Sequence, residues 1–153
     1  MRYLPLALYV RRVAADLAGG EPVYDEAFRP LGLRSTQYTI LGVLCKEGEM
    51  KQRRVGELLA LDRTTLTRVL KIMEANRWIS SIPGVDRRER LVRASEEGRK
   101  LFEEATPRWG EVQDRLKAAF GASQWDDVLR LAERMSHGAG RAARGGRNAP
   151  IET

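Results

Sequence analysis

The amino-acid sequence predicts a mainly α-helical domain carrying one small β-hairpin. Three observations predict it. First, apolar residues recur at a helical period: Leu66, Val69, Leu70 and Met73 are spaced i, i+3, i+4 and i+7, and Leu101, Ala105, Trp109, Val112 and Leu116 form a second stripe. Second, the β-type runs are confined to residues 78–82 and 91–92, on either side of the turn-rich "PGVDRR" at 83–88. Third, 153 residues that are 42% hydrophobic and 31% charged suit one globular domain with a substantial core.

The elements follow in order. Residues 3–18 read as a helix with Leu6, Val10, Val13, Ala14 and Leu17 on one side. Gly19, Gly20 and Pro22 break it, and 23–30 resume it. After a "PLGL" loop, Ser35 is expected to cap a second helix over 36–47, with Tyr38, Leu41, Leu44 and Cys45 inward, and Gly48 ends it. A short helix over 52–60 uses Val55, Leu58 and Leu59. Asp62 is a good N-cap for a helix over 63–76, because its carboxylate accepts from unpaired first-turn amides. Ser95 caps a long helix over 96–119, which Pro107 should bend. Ser123 is expected to cap a last helix over 124–136, built on Trp125, Val128, Leu129, Ala132 and Met135. From Gly138 the chain is Gly, Ala and Arg with no stripe, which predicts a basic mobile tail over 138–153.

Opposite its apolar stripe, the 63–76 helix carries Thr64, Thr67, Arg68, Lys71 and Ala75, with one acid, Glu74, near its end. Small hydroxyls permit close approach, and cations suit an anionic surface. Two short amphipathic helices joined by a tight turn, the second basic outside, make a helix-turn-helix. The arginine-bearing hairpin after it, with Arg87, Arg88 and Arg90, adds a wing. The net charge is +6, and residues 51–93 hold all of it, with eleven Lys/Arg against five Asp/Glu. A basic patch so localised is the footprint of a polyanion.

Other classes fit poorly. One cysteine excludes an internal disulfide and suits a reducing, cytoplasmic setting. No apolar run approaches the roughly 18 residues of a membrane span. "YLPLALYV" is short, contains a proline and runs into Arg11 and Arg12, so it reads as the start of a helix. With one His (His137), one Cys and no Gly-rich phosphate loop, no enzyme, metal site or cofactor is expected. Two other readings compete: a winged helix that docks an acidic protein, and an oxidant sensor working through Cys45. Cys45 falls on the apolar stripe and reads as a small core residue.

Three segments together carry a family likeness: "PLGLRSTQYTILGVL" (30–44), "VGELLALDRTTLTRVLKIMEANRWI" (55–79) and "DRRERLVRASEEGRKLF" (86–102). The chain resembles the MarR family of winged helix-turn-helix transcriptional regulators over about residues 4–136. The Asp-x-Arg of the hairpin, Asp86 and Arg88, is the most specific mark. The resemblance implies a homodimer on near-palindromic promoter DNA, acting as a repressor that a small ligand modulates. It implies a helical dimerisation region over 1–34 and 95–137, and a DNA-binding domain over 35–94. The recognition helix would enter the major groove and the wing the adjacent minor groove.

Arg63, Thr64, Thr65, Thr67 and Arg68 are then candidates for base edges, since a guanidinium bonds guanine bidentately and a threonine methyl packs on a thymine methyl. Lys71 suits a phosphate. Arg87, Arg88 and Arg90 suit the narrow minor groove, where negative potential is focused. Asp86 is expected to pair with a nearby arginine and shape the wing. Gln52, Arg53 and Arg54, at the start of the preceding helix, are further phosphate candidates. An aromatic or phenolic ligand would lie among Tyr9, Arg12, Tyr38, Leu41 and Trp109. Three departures stand out, one being the unusual Gly19-Gly20-Glu21-Pro22 break in the first helix. Arg77 occupies a position where the family often has Gly, so Asn76 is expected to take the left-handed turn instead. "RASEEG" replaces the commoner leucine-threonine start of the long helix.

Overall fold

The computed structural model describes Gly19, residues 21–131 and Arg134. The helix expected over 3–18, the end of the last helix, His137 and the tail over 138–153 lie outside the described residues. The described elements are α1 (Glu21–Phe28), a 3-10 turn (Arg29–Leu31), α2 (Ser35–Glu47), β1 (Met50–Lys51), α3 (Gln52–Leu59), α4 (Arg63–Ala75), β2 (Ile79–Pro83), β3 (Arg90–Ala94) and α5 (Glu96–Phe120). A further helix, α6, spans 122–131. The protein is mainly helical with a small antiparallel sheet, as its periodicity predicts.

Gly19 has a left-handed φ of +75°, and α1 begins two residues later with Pro22 in its first turn. There proline's missing amide costs nothing. α2 is the central element. Ile40, Leu41, Val43 and Leu44 are fully buried, with Ser35, Gln37, Tyr38 and Thr39 buried beside them. A helix buried on nearly every side packs on several neighbours at once. These are α1, α5 and β3, with α3 touching it less.

Ser35 is not the cap of α2 but its first residue. The capping falls to two other side chains. Gln37 Oε1 accepts from the amide of Arg34 at 2.9 Å, and Asp25 Oδ1, on α1, accepts from the amide of Ser35 at 2.8 Å. A carboxylate reaching in from another helix is a stronger acceptor than a serine hydroxyl, and it displaces the local cap. The last helix also starts earlier than expected. It begins at 122 rather than after Ser123, and Gly121 O accepts from the amide of Trp125 at 3.0 Å.

The sheet has the order β1-β3-β2. β3 pairs with β2 from Ile79↔Ala94 to Pro83↔Arg90, and with β1 at Met50↔Val92 and Lys51↔Leu91. β1 was not foreseen, since two residues carry no period. Ile79, Val92 and Ala94 share one buried face of the hairpin and join the core. α5 starts on its Ser95 cap, whose Oγ accepts from Gly98 N at 3.0 Å, and continues as one helix through Pro107. One apolar core runs through Tyr24 and Phe28 of α1, Tyr38 and Leu41 of α2, Leu66 and Met73 of α4, and Ala105 and Val112 of α5.

Candidate nucleic-acid interface

α4 is built as the sequence predicts at its start and differently at its end. Asp62 accepts from the amide and the hydroxyl of Thr65, at 2.9 and 2.6 Å. These bonds hold the Asp62 carboxyl below the usual carboxylate range. At the far end, Trp78 N donates to Met73 O and Arg77 N to Glu74 O, at 3.0 and 2.9 Å. This pair of bonds is a Schellman motif, which requires the left-handed residue directly after the cap. Arg77 therefore takes it, at φ +61°, and Asn76 stays at φ −83°. The expectation for Asn76 fails for this reason. Moving the left-handed residue back by one would pull Trp78 away from the core it packs against. Asn76 instead donates its side-chain amide to Ile72 O at 2.8 Å.

Leu66, Leu70 and Met73 bury the inner side of α4. Thr64, Arg68 and Lys71 are exposed on the outer side, together with Arg63 at its start. Ile72 stands out there as an apolar side chain, 46% exposed. Two of the threonines are occupied. Thr65 belongs to the cap, and Thr67 Oγ1 accepts from Gln52 Nε2 at 3.3 Å.

The wing is ordered by its backbone. Gly84 N donates to Glu89 O at 2.8 Å, and Glu89 N to Asp86 O at 2.9 Å. The expected pairing of Asp86 with an arginine is not made; the carboxylate bonds to the backbone of the wing turn instead. Its Oδ1 accepts from the amide of Arg88 at 3.0 Å, and it makes no ion pair among the described residues. The short side chain reaches an amide two residues on more readily than a mobile guanidinium, which is an Asx turn. Arg87 and Arg88 project from the tip, next to fully exposed Val85. Arg90 does not lie at the tip. It opens β3 and turns back, donating Nη2 to Ser81 Oγ at 2.8 Å.

Between α3, α4 and the wing runs a groove of about 1220 Å³. Lys51, Gln52, Arg63, Thr67, Lys71, Arg88 and Arg90 line it. Its acids are engaged: Glu57 pairs with Arg53 and Arg54 at 3.1 and 3.5 Å, and Glu89 with Lys51 at 2.8 Å. Sequence reasoning did not anticipate Lys51, Glu89 or Ser81 here. The one visible signal was Glu74, an acid on an otherwise basic helix face.

The ligand candidates divide. Tyr9 and Arg12 lie outside the described residues. Leu41 is fully buried, and Tyr38 stacks on Phe102 at 4.9 Å and on Trp109 at 6.3 Å. Burial raises the Tyr38 phenol above its ordinary value, against a hydrogen bond with Thr106 at 3.3 Å. Cys45 is half-buried and packs on the core. Burial pushes its thiol up, the charge of Glu103 adds to this, and Arg99 and Lys46 oppose it. That is the reverse of the acidified thiol a sensor needs. Among the described residues, no helix is long and apolar enough to cross a membrane.

A helix-turn-helix with a basic outer face, followed by an arginine-tipped hairpin, defines a winged-helix DNA-binding protein. The family model for the MarR family matches residues 31–89. YwoH of Bacillus subtilis strain 168, an uncharacterised HTH-type transcriptional regulator, is 33% identical over 96 residues, which are 63% of this chain and 70% of YwoH. The M. tuberculosis transcriptional regulator MOSR, in a crystal structure with DNA, is 29% identical at a TM-score of 0.65, over 83% of this chain and 92% of MOSR. The PcaV transcriptional regulator of Streptomyces coelicolor, crystallised with its natural ligand, shares the fold at 23% identity and a TM-score of 0.68, over 83% of this chain and 91% of PcaV. The chain belongs to the MarR family. It is a DNA-binding transcriptional regulator and not an enzyme.

Proposed function

We propose that the chain works as a homodimer on near-palindromic operator DNA in the cytoplasm. Each protomer lays α4 in the major groove and its wing in the neighbouring minor groove. One observation carries this reading: the groove between α4 and the wing is lined by cations on both walls. A duplex that fills a major groove with one element and the next minor groove with another must pass one phosphate strand between them. Arg68 and Thr64, exposed on the outer side of α4, are the base readers, with Arg63 beside them. Lys71 holds the phosphate strand from within the groove, and Arg87 and Arg88 enter the minor groove. Residues 35–94 form the DNA-binding part, and the flanking helices, over 1–34 and 95–137, pair the protomers. The exposed Phe120, Val128 and Leu131 near the end of the described chain supply apolar surface for that pairing.

The test is a gel shift with DNA from upstream of the protein's own gene, at two salt concentrations. The wild type is expected to give a sharp, competitor-resistant shift that Arg68→Ala loses. Lys71→Ala should weaken specific and non-specific duplexes alike and flatten the salt dependence of the dimer by about 1.8 in log–log slope, about 0.9 from each protomer. Equal, salt-sensitive smearing by wild type and Arg68→Ala would refute the assignment.

The repressor role and the ligand belong to the same reading. PcaV, which shares the fold, was crystallised with its natural ligand. Here Phe102 and Trp109, half-buried on either side of the buried Tyr38, offer a flat aromatic ligand a matching surface where α2 meets α5. A panel of aromatic carboxylates and phenols, scored for release of the shifted DNA, tests it. Retention of the shift with every compound would argue against this ligand class.

A further inference from the structure

Residues 51–93 contain five carboxylates inside a surface built for a polyanion. Each of them weakens attraction to phosphate, and each is engaged within the protein. Glu57 pairs with Arg53 and Arg54, Asp62 caps α4, Asp86 closes the wing turn and Glu89 pairs with Lys51. Glu74 is the one that joins the recognition helix to the hairpin. Ser81 donates its hydroxyl to Glu74 Oε1 and accepts Arg90 Nη2 at 2.8 Å, while Arg90 Nη2 stands 4.0 Å from the same carboxylate. A hydroxyl has one proton to give and lone pairs to receive, so Ser81 links acid to base in a fixed order.

The location matters as much as the bonds. Ser81 pairs with Val92 and Pro83 with Arg90, so Ser81 and Arg90 share the hairpin face that holds buried Ile79, Val92 and Ala94. Ser81 and Arg90 sit at the outer end of that face, where the hairpin leaves the body. All three members of the relay line the groove.

We propose that Glu74 and Ser81 are positioning residues that set the angle between wing and recognition helix, and thereby the discrimination between operator and other DNA. The inference rests on the groove being the path of a phosphate strand. A carboxylate there lowers affinity for every duplex, since it adds repulsion to a term that is independent of sequence. A wing already held at the right angle lowers the ordering cost only for duplexes that engage both elements. Glu74 thus trades general affinity for selectivity. Arg90, held on Ser81, is presented to the strand from a fixed wall.

The experiment uses the full chain and two duplexes. One is enriched by the wild type from a random-sequence pool, and the other is a scrambled duplex of equal length. Ser81→Ala leaves the net charge unchanged, Glu74→Ala removes both acceptor and charge, and Glu74→Gln keeps an acceptor oxygen for Ser81. The readouts are the affinity ratio between the duplexes and amide hydrogen exchange over 84–89 in the free protein. Ser81→Ala and Glu74→Ala should each lower the ratio by about tenfold or more, the low end of the worth of one charge-assisted hydrogen bond, and should speed wing exchange. Glu74→Gln should bind the scrambled duplex more tightly while keeping most of the ratio and slow exchange. An unchanged ratio in both alanine variants overturns the proposal, whatever exchange shows. If the wild type enriches no duplex, the groove reading itself fails and the proposal falls with it.

Discussion

Gly98 is the position where a single methyl group should do most harm. A Cβ built there lies 2.0 Å from the carbonyl oxygen of Trp78, 2.9 Å from its carbonyl carbon and 3.1 Å from Leu41 Cδ2. The Trp78 oxygen is not free to yield, because it accepts from Ser95 N at 3.0 Å. Ser95 in turn donates its hydroxyl to Arg77 O at 2.6 Å and caps Gly98. To admit the methyl, the start of α5 must move off the entry to β2 by roughly 1 Å. Overpacking of this kind costs about 1–3 kcal/mol, and loss of the Ser95 cap adds about 1 kcal/mol. The better helix propensity of alanine returns about 1 kcal/mol. Gly98→Ala should therefore destabilise the protein by about 1–3 kcal/mol. At about 3 °C per kcal/mol for a chain of this size, Tm falls by about 3–9 °C. Thermal unfolding followed by circular dichroism measures this directly. A Gly98→Ala variant that melts within a degree of the wild type would refute the close approach.

Other outcomes follow from the same geometry. Arg77→Gly should raise stability by about 1 kcal/mol, visible as a higher urea midpoint, because a left-handed residue is strained unless it is glycine. Asp62→Ala should melt below the wild type at neutral pH. The Asp62 carboxyl is held low in the folded state, so its contribution is present above the ordinary carboxylate range and is lost as pH falls through the depressed value. Melts across an acid pH series should show the gap between the two proteins closing there. Cys45, with its thiol pushed up by burial, should react with a thiol reagent more slowly at neutral pH than free cysteine, and faster as pH rises. Treatment with peroxide should leave the affinity for DNA unchanged, and a loss of affinity that Cys45→Ala abolishes would restore the sensor reading.

Much of this fold is legible in the sequence because its signals are local and periodic. The α4 stripe, the Asp62 and Ser95 caps and the turn-rich hairpin each sit within one or two helical turns or one loop. What escapes is set from a distance. Ser35 lost its expected cap to Asp25, ten residues away on another helix. Arg77 takes a conformation that a glycine-based expectation assigned to Asn76, because the Schellman bonds and the packing of Trp78 fix the register. Ala60 likewise adopts a left-handed φ of +51° between α3 and α4 with nothing in its side chain to announce it. For the interface, residue type and charge pointed to a segment, and they could not say which of its hydroxyls were already spoken for. Thr65 and Arg90 carry the chemistry of contact residues, yet each is bonded within the protein.

The hydrogen bond from Ser35 to Asp25 has a wider consequence. The stretch most recognisable by sequence, 31–89, begins just before α2 and ends in the wing. The first amides of that helix are satisfied by a carboxylate outside this stretch, and Tyr24, Phe28, Ala105 and Val112 from outside it complete the core around α2. A cassette cut at the recognisable boundaries and grafted onto another protein would carry the reading head without the wall it leans on. Such a chimaera should be built from residue 21 through at least Leu116, so that the transplanted part brings its own foundation.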